Sequence, residues 1–380
     1  MAWLGTYAKR IKVTASNTNV DSDLTHFPLL LKLGTSVGTG STDVSCVFDE
    51  LTSDANRTKI AVTKTDGTTE LYVEIEKWDD ANEKAVLWVS KSDWVLDTDA
   101  DTELYLYYDS AHAANTDRVG DTNSVVAESV WDANYKMVQH LADGASTSAT
   151  YDSTSNDNDG TKTGANAPNQ IDGEIGKGQD FDGTDDVITV SDNAGLSTLG
   201  PITLECWVNF TNNTKKQGLL SKDYAGTDRE WIILYSNTPY VGLYLFSADG
   251  LAYLEGATNV VTVTDGEWHQ ILTTWDGINA INHINIWIDG VSRSINVYDV
   301  KTNTGYVPHD SDADIDIGRY YGSDTYSFDG NEDEVRISNI KRTDAWIKAN
   351  FYTQTDALVS WGSEEDIPTT TDTGNFFIMF

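Results

Sequence analysis

Residues 152–160 read Asp152-Ser-Thr-Ser-Asn-Asp-Asn-Asp-Gly160 and crowd carboxylate and amide oxygens into one short stretch. Such oxygens suit Ca²⁺, which takes about six to eight of them at ~2.3–2.6 Å. The same residue types also close turns through hydrogen bonds to their own backbone, with no ion needed. Two acidic ladders recur elsewhere: Asp97, Asp99, Asp101 and Glu103, and Asp310, Asp312, Asp314 and Asp316. A spacing of two puts each set on one face of an extended chain. They read as solvated strand faces, with a second cation site as the rival. Asp329-x-Asn331-x-Asp333 imitates the opening of an EF-hand loop, but it lacks the later Gly and Glu and no flanking helices are predicted.

Catalysis finds less support. Glycoside hydrolysis needs two carboxyl groups ~5–9.5 Å apart across a sugar. Glu332, Asp333 and Glu334 are contiguous, so along a regular strand neighbours point to opposite faces. Gly34-Thr-Ser-Val-Gly38 spells a nucleophile elbow, yet Gly38-Thr-Gly-Ser-Thr42 cannot begin the helix that an elbow requires. The histidines, His26, His112, His140, His269, His283 and His309, show no metal-ligand spacing; His140 and His269 read as packed, hydrogen-bonded strand residues. Flat rings near turns suit stacking on a sugar: Tyr224, Trp231, Tyr240, Tyr320 and Tyr321. Trp78, Trp88, Trp207, Trp275 and Trp287 sit in alternating runs and read as core.

The elements that position these residues belong to a folded chain with an acidic skin. Sixty Asp and Glu against 25 Lys and Arg leave a formal charge of −35 over 380 residues, while 11% aromatics exclude a disordered acidic tail. Such a field repels phosphate backbones and anionic lipid, so neither nucleic acid nor membrane is an expected partner. It equally fits solubility in a salty medium. No apolar run approaches the ~18 residues of a membrane span, and the stretch MAWLGTYAKRIKV has no secretion-signal pattern.

Alternating runs such as Leu71–Trp78, Glu103–Tyr108, Ile202–Val208 and Ile284–Ile288, separated by turn residues, predict antiparallel sandwiches. Asp-Gly pairs at 66–67, 265–266 and 289–290 mark tight turns between runs. One short helix is predicted over Thr343–Tyr352, capped by Thr343. A domain boundary falls near residues 118–136. Cys46 and Cys206 read as two buried free thiols, with one cross-domain disulfide as the alternative. The apolar tip Phe376–Phe380 follows a polar linker and reads either as a docking peptide or as cover for its own domain.

Residues 135–362 resemble the laminin-G-like, concanavalin A-like jelly rolls of bacterial, archaeal and phage surface proteins. The resemblance rests on the Asp152–Gly160 turn, Gly178-Gln-Asp-Phe-Asp-Gly-Thr-Asp-Asp-Val187, Glu205-Cys-Trp-Val208, Gly266-Glu-Trp-His269, Asn285–Gly290 and Phe328-Asp-Gly-Asn-Glu-Asp-Glu-Val-Arg-Ile337. Residues 1–130 resemble a smaller β-sandwich domain of unknown function that often precedes such a jelly roll. The resemblance implies a structural Ca²⁺ held by Asp152, Asn156, Asn158 and Asp333, although Ser155 and Asp157 stand where Gly is usual.

The expected protein is therefore all-β: two β-sandwich domains, 1–130 and 135–362, the second a concanavalin A-like (laminin-G-like) jelly roll with one short helix, then a tail at 363–380. The expected function is non-catalytic: adhesion to a glycan or host-surface receptor through Trp231, Tyr320 and Tyr321. The expected setting is a virion or extracellular surface, as in a tail fibre, head fibre or capsid decoration, with other virion proteins or a second copy as further partners. The rival is a carbohydrate-active enzyme or its binding module. A purely structural building block is a third reading.

Overall fold

The computed structural model describes residues 2–162, 167–197, 199–224, 228–248, 252–260, 263–280, 283–296 and 306–368. The apolar tip Phe376–Phe380 lies outside them.

Alternation in the first third of the chain produces two facing four-stranded sheets. One runs, in spatial order, Val359–Asp366, Lys9–Ala15, Thr102–Tyr108 and Ile60–Lys64, all antiparallel. The other runs Leu29–Leu33, Lys84–Ser90, Tyr72–Asp79 and Val119–Asp121, the last pair parallel. Val13, Val62, Leu104 and Leu106 from the first sheet and Leu31, Val73, Leu87 and Val89 from the second share one core. The outer face of Thr102–Tyr108 is also covered: Tyr105 and Tyr107 pack with Tyr7, and the Arg10 guanidinium lies 4.0 Å from the Tyr105 ring centre. A six-residue helix, Cys46–Leu51, is too short to announce itself by periodicity.

This first sheet is completed by a strand from the far end of the chain. Val359–Asp366 pairs with Lys9–Ala15, Ala15 opposite Val359 and Lys9 opposite Asp366. The expected break between jelly roll and tail at residue 362 falls inside this strand. Val359 and Trp361 lie in the core of the first sandwich.

The second unit is a jelly roll of two layers. One layer joins Tyr135–Asp143, Asp329–Ser338, Ile202–Phe210, Trp268–Trp275 and Ile284–Ile288. The other joins Ile315–Ile317, Gln217–Asp223, Arg229–Ser236, Tyr240–Phe246 and Tyr253–Thr258. Between them lie Cys206, Val208, Phe210, Trp231, Ile233, Leu243, Leu245 and Ile271. Asp289-Gly290 turns the hairpin into Val291–Arg293 with both residues at positive φ, 56° and 68°, as a tight two-residue turn demands.

Helix Asp344–Gln354 joins the two units. Thr343 caps it by accepting from Trp346 N–H. Ala345, Trp346 and Ala349 enter the first core, whereas Ile347 packs on Leu272 and Trp287 of the jelly roll. The buried Glu205 carboxylate accepts from Asn350 at 2.7 Å, Gln354 at 2.8 Å and Gln270 at 2.9 Å, which fastens the helix to the jelly-roll sheet. Both cysteines are free thiols, Cys206 buried and Cys46 half-buried.

Candidate functional site

The Asp152 turn is closed by its own donors. Asp152 is fully buried; its Oδ1 accepts from Val138 N (2.9 Å) and Thr154 N (3.0 Å), and its Oδ2 from Asn158 N (3.0 Å) and Thr154 Oγ1 (2.8 Å). Asn158 donates to Lys136 O and accepts from Asn193, while Asn156 donates to Tyr135 O and Thr154 Oγ1. Asp157 takes the positive φ, 53°, that would have favoured glycine. Asp333 is engaged elsewhere: its Oδ2 accepts from Ile175 N at 2.8 Å and its Oδ1 from Glu334 N at 2.7 Å. Asp152, Asn156 and Asn158 thus form one hydrogen-bonded turn, and Asp333 shares no hydrogen-bond partner with it.

Asp333 and Glu334 instead mark a bulge. Trp207 opposes Asp333 and Glu205 opposes Arg336, so the strand carries an extra residue at this point, with Glu334 at φ 51°. The strict alternation expected of Glu332, Asp333 and Glu334 therefore fails. Glu332 is fully buried with neither carboxyl oxygen hydrogen-bonded, and burial pushes its pKa well above the usual range. Asp333 and Glu334 both join a cluster at the seam between the two units.

Glu74 and Glu76 of strand Tyr72–Asp79 meet His140 of strand Tyr135–Asp143 in that cluster. His140 Nδ1 lies 2.6 Å from Glu334 Oε1 and 3.5 Å from Glu76 Oε2, and its Nε2 lies 3.4 Å from Glu74 Oε1. Trp88 Nε1 donates to Glu76 Oε2 at 2.7 Å and Trp131 Nε1 to Glu74 Oε2 at 2.6 Å. Thr122 and Ser153 donate to Glu74 Oε1. Arg336, between the Trp88 and Trp131 rings, donates twice to Glu334 Oε2. Burial, reinforced by Glu334 and Glu74, lifts Glu76 to about 7. Burial alone would depress the imidazole, but Glu334, Glu76 and Glu74 hold it well above its ordinary value. Burial would raise Glu334; His140 and Arg336 outweigh that and hold it low. Burial and the neighbouring Glu334 raise Asp333. A cavity of about 430 Å³ reaches this cluster, lined by Glu76 and His140 together with Asp54, Arg57, Asp121 and Tyr151. His140, read from sequence as a packed strand residue, is the centre of the cluster.

The aromatic residues divide by strand parity. Trp231 is fully buried in the jelly-roll core and offers no face to a ligand, which corrects its assignment to sugar binding. It shares its inward parity with Ile233 and Tyr235. Ile232 and Leu234 point to the opposite face, where Tyr240, Tyr244, Phe246, Tyr253, Tyr320 and Tyr326 cover them. Tyr320 is 5% exposed and stacks on Tyr326 at 4.3 Å. Tyr321 is 36% exposed, at φ 66°, and Tyr224 is 58% exposed. Lys216 Nζ stands 5.9 Å from the Tyr244 ring centre and 5.5 Å from that of Tyr320, and the Arg229 guanidinium 3.7 Å from Phe246. Sequence reasoning named Tyr240 and the 320–321 pair but missed Tyr244, Phe246 and Tyr253. The signal for the first two was period two along Tyr240-Val-Gly-Leu-Tyr-Leu-Phe246.

Near one end of this layer, Asp312, Asp314 and Asp316 line a cavity of about 330 Å³ with Asp223, Asp228 and Arg319. Asp316 and Asp223 are already matched by Arg319 and Arg229.

Residues 181–348 match the family described as the concanavalin A-like lectin/glucanases superfamily, in its Laminin_G_3 branch. No curated protein matches the chain. Among solved structures, the binding domain of Paraclostridial Mosquitocidal Protein 1 is similar at 13% identity and a TM-score of 0.45, over 58% of this chain and 52% of that one. Domain 4 of AbnA, a GH43 extracellular arabinanase from Geobacillus stearothermophilus solved with arabinotriose, is similar at 21% identity and a TM-score of 0.43, over 57% and 98%. The botulinum neurotoxin serotype G binding domain follows at 15% and 0.43, over 58% and 51%. The chain thus spans about half the length of the two toxin domains it resembles.

Proposed function

Because residues 181–348 form a jelly-roll domain of the concanavalin A-like lectin/glucanase superfamily, we propose that the chain is a non-catalytic binding protein whose jelly roll takes up a glycan. One observation carries this reading: the outward face of strands Arg229–Ser236, Tyr240–Phe246 and Tyr253–Thr258 is paved with rings whose edges reach solvent at Tyr244, Tyr253, Tyr326 and Tyr321. A tyrosine offers an apolar face for the C–H side of a pyranose and a hydroxyl for its rim. Lys216 and Arg229 border those rings and suit sugar hydroxyls. The carboxylates at this face support binding rather than cleavage: Glu255 accepts from Tyr244 and Asp223 from Arg229.

In the same reading the chain is displayed at an extracellular or virion surface, where a −35 charge keeps it soluble. Immunogold labelling of intact cells and particles tests that half. A glycan array with the purified chain, run beside a reducing-end assay on its best ligands, tests the other. Selective retention without new reducing ends supports the reading. No retention on any glycan, or steady release of reducing ends, overturns it.

A further inference from the structure

We propose that Glu76, His140 and Glu334 form a binding site for one divalent transition-metal ion at the seam between the two units. This site is separate from the aromatic face and does not depend on it. The ligand atoms of the three residues lie within 4.8 Å of one another, and their side chains are at most 1% exposed. An ion bound by imidazole and carboxylate at ~2.0–2.2 Å holds its ligand atoms roughly 3.3 Å apart. The separations from His140 Nδ1, 2.6 Å to Glu334 and 3.5 Å to Glu76, bracket that value.

Two further observations point to an ion. Glu76 Oε1 is buried without a hydrogen-bond partner. Glycine at 176 is what lets the carboxyl sit there, since a Cβ would come within 1.8 Å of that oxygen. A metal-ligating histidine characteristically turns its other ring nitrogen to a carboxylate; His140 Nε2, otherwise unpartnered, lies 3.4 Å from Glu74, which Trp131, Thr122 and Ser153 hold in place.

The donor set selects the ion. Ca²⁺ wants a shell of oxygens, whereas one imidazole with two carboxylates suits Zn²⁺, Co²⁺ or Mn²⁺. The cavity lined by Glu76 and His140 gives solvent and ion a way in. Trp88 and Arg336 orient the two carboxylates from behind.

The test uses the full chain, stripped with a chelator and shown to be folded by its melt, then titrated with Zn²⁺ and with Co²⁺. The expected result is one equivalent bound, with affinity at least tenfold weaker in Glu76→Gln and in His140→Gln. Asp185→Asn, which alters the more exposed trio Asp182, Asp185 and Asp186, leaves that affinity unchanged. Should either seam variant fail to fold, the wild type decides alone: an anomalous peak from soaked Zn²⁺ between His140 and Glu76 supports the site. A folded wild type that binds no stoichiometric ion overturns the proposal. So does binding lost in Asp185→Asn but kept in the seam variants, or an anomalous peak elsewhere only.

Discussion

Tyr244 and Glu255 face each other directly across adjacent strands, and the phenol donates to the carboxylate at 2.5 Å. Burial, with Glu255 beside it, pushes the Tyr244 pKa far above its ordinary value, so the ring stays neutral. The bond fixes the tilt of a ring at the edge of the aromatic face. Glu255→Gln weakens a charge-assisted bond without moving the backbone. It is expected to reduce glycan affinity by roughly tenfold, ~1.4 kcal/mol, with little change in melting temperature. Titration calorimetry on the two proteins checks this; equal affinities remove the role assigned to that bond.

A second prediction concerns acid. Arg342 donates to Asp132 at 2.5 and 2.9 Å while packed against the Tyr135 and Trp346 rings. Burial alone would raise the Asp132 carboxyl, but the bonds and charge of Arg342 outweigh it and hold the pKa below the usual value. A carboxylate with a depressed folded-state pKa contributes stability above its unfolded pKa and loses it as pH falls through the folded one. Asp132→Asn should therefore cost about 3 kcal/mol near neutrality and flatten the acid side of the stability profile. Melts from pH 7 to pH 3 read both effects; parallel profiles for the two proteins count against it.

The C-terminal strand makes a third. Because Val359–Asp366 forms the edge of the first sheet beside Lys9–Ala15 and carries Trp361 into the first core, a fragment ending at residue 130 lacks that edge strand and the helix Asp344–Gln354. Such a fragment is expected to show no cooperative melt, whereas the full chain does. Trp361→Ala in the full chain should cost about 3–5 kcal/mol. A fragment 1–130 that melts cooperatively makes the first unit autonomous and contradicts this.

The Asp152 turn gives a fourth. Its four accepted hydrogen bonds occupy the oxygens that an ion would need. Addition of millimolar Ca²⁺ after EDTA is expected to leave the melt unchanged in the wild type. A calcium-dependent rise that disappears in Asp152→Asn restores the calcium site expected from the sequence.

Period-two patterning and turn chemistry made the all-β architecture legible, the Thr343 cap and an apolar face the helix that follows it, and the motifs of the family resemblance the jelly roll. Parity was less secure. Trp231 looked turn-proximal, but it shares the inward face of Ile233 and Tyr235. The Glu334 bulge was invisible because one inserted residue leaves no mark on composition while reversing the faces that follow it. The seam cluster could not be read at all: His140 and Glu334, 194 residues apart, meet across paired strands of one jelly-roll layer, and Glu76 joins them only through the docking of the two units. The strand Val359–Asp366 was split at residue 362, its first half read as jelly roll and its acidic end, Ser363–Asp366, as the start of a tail.

Central to this account is the aromatic face as the ligand platform of the jelly roll. The most direct measurement is the affinity of the best array glycan for the wild type and for Tyr244→Ala and Tyr253→Ala, each with its melt recorded. The account predicts at least tenfold weaker binding in both variants with the fold intact. Unchanged affinity in two folded variants would place the ligand elsewhere and contradict it.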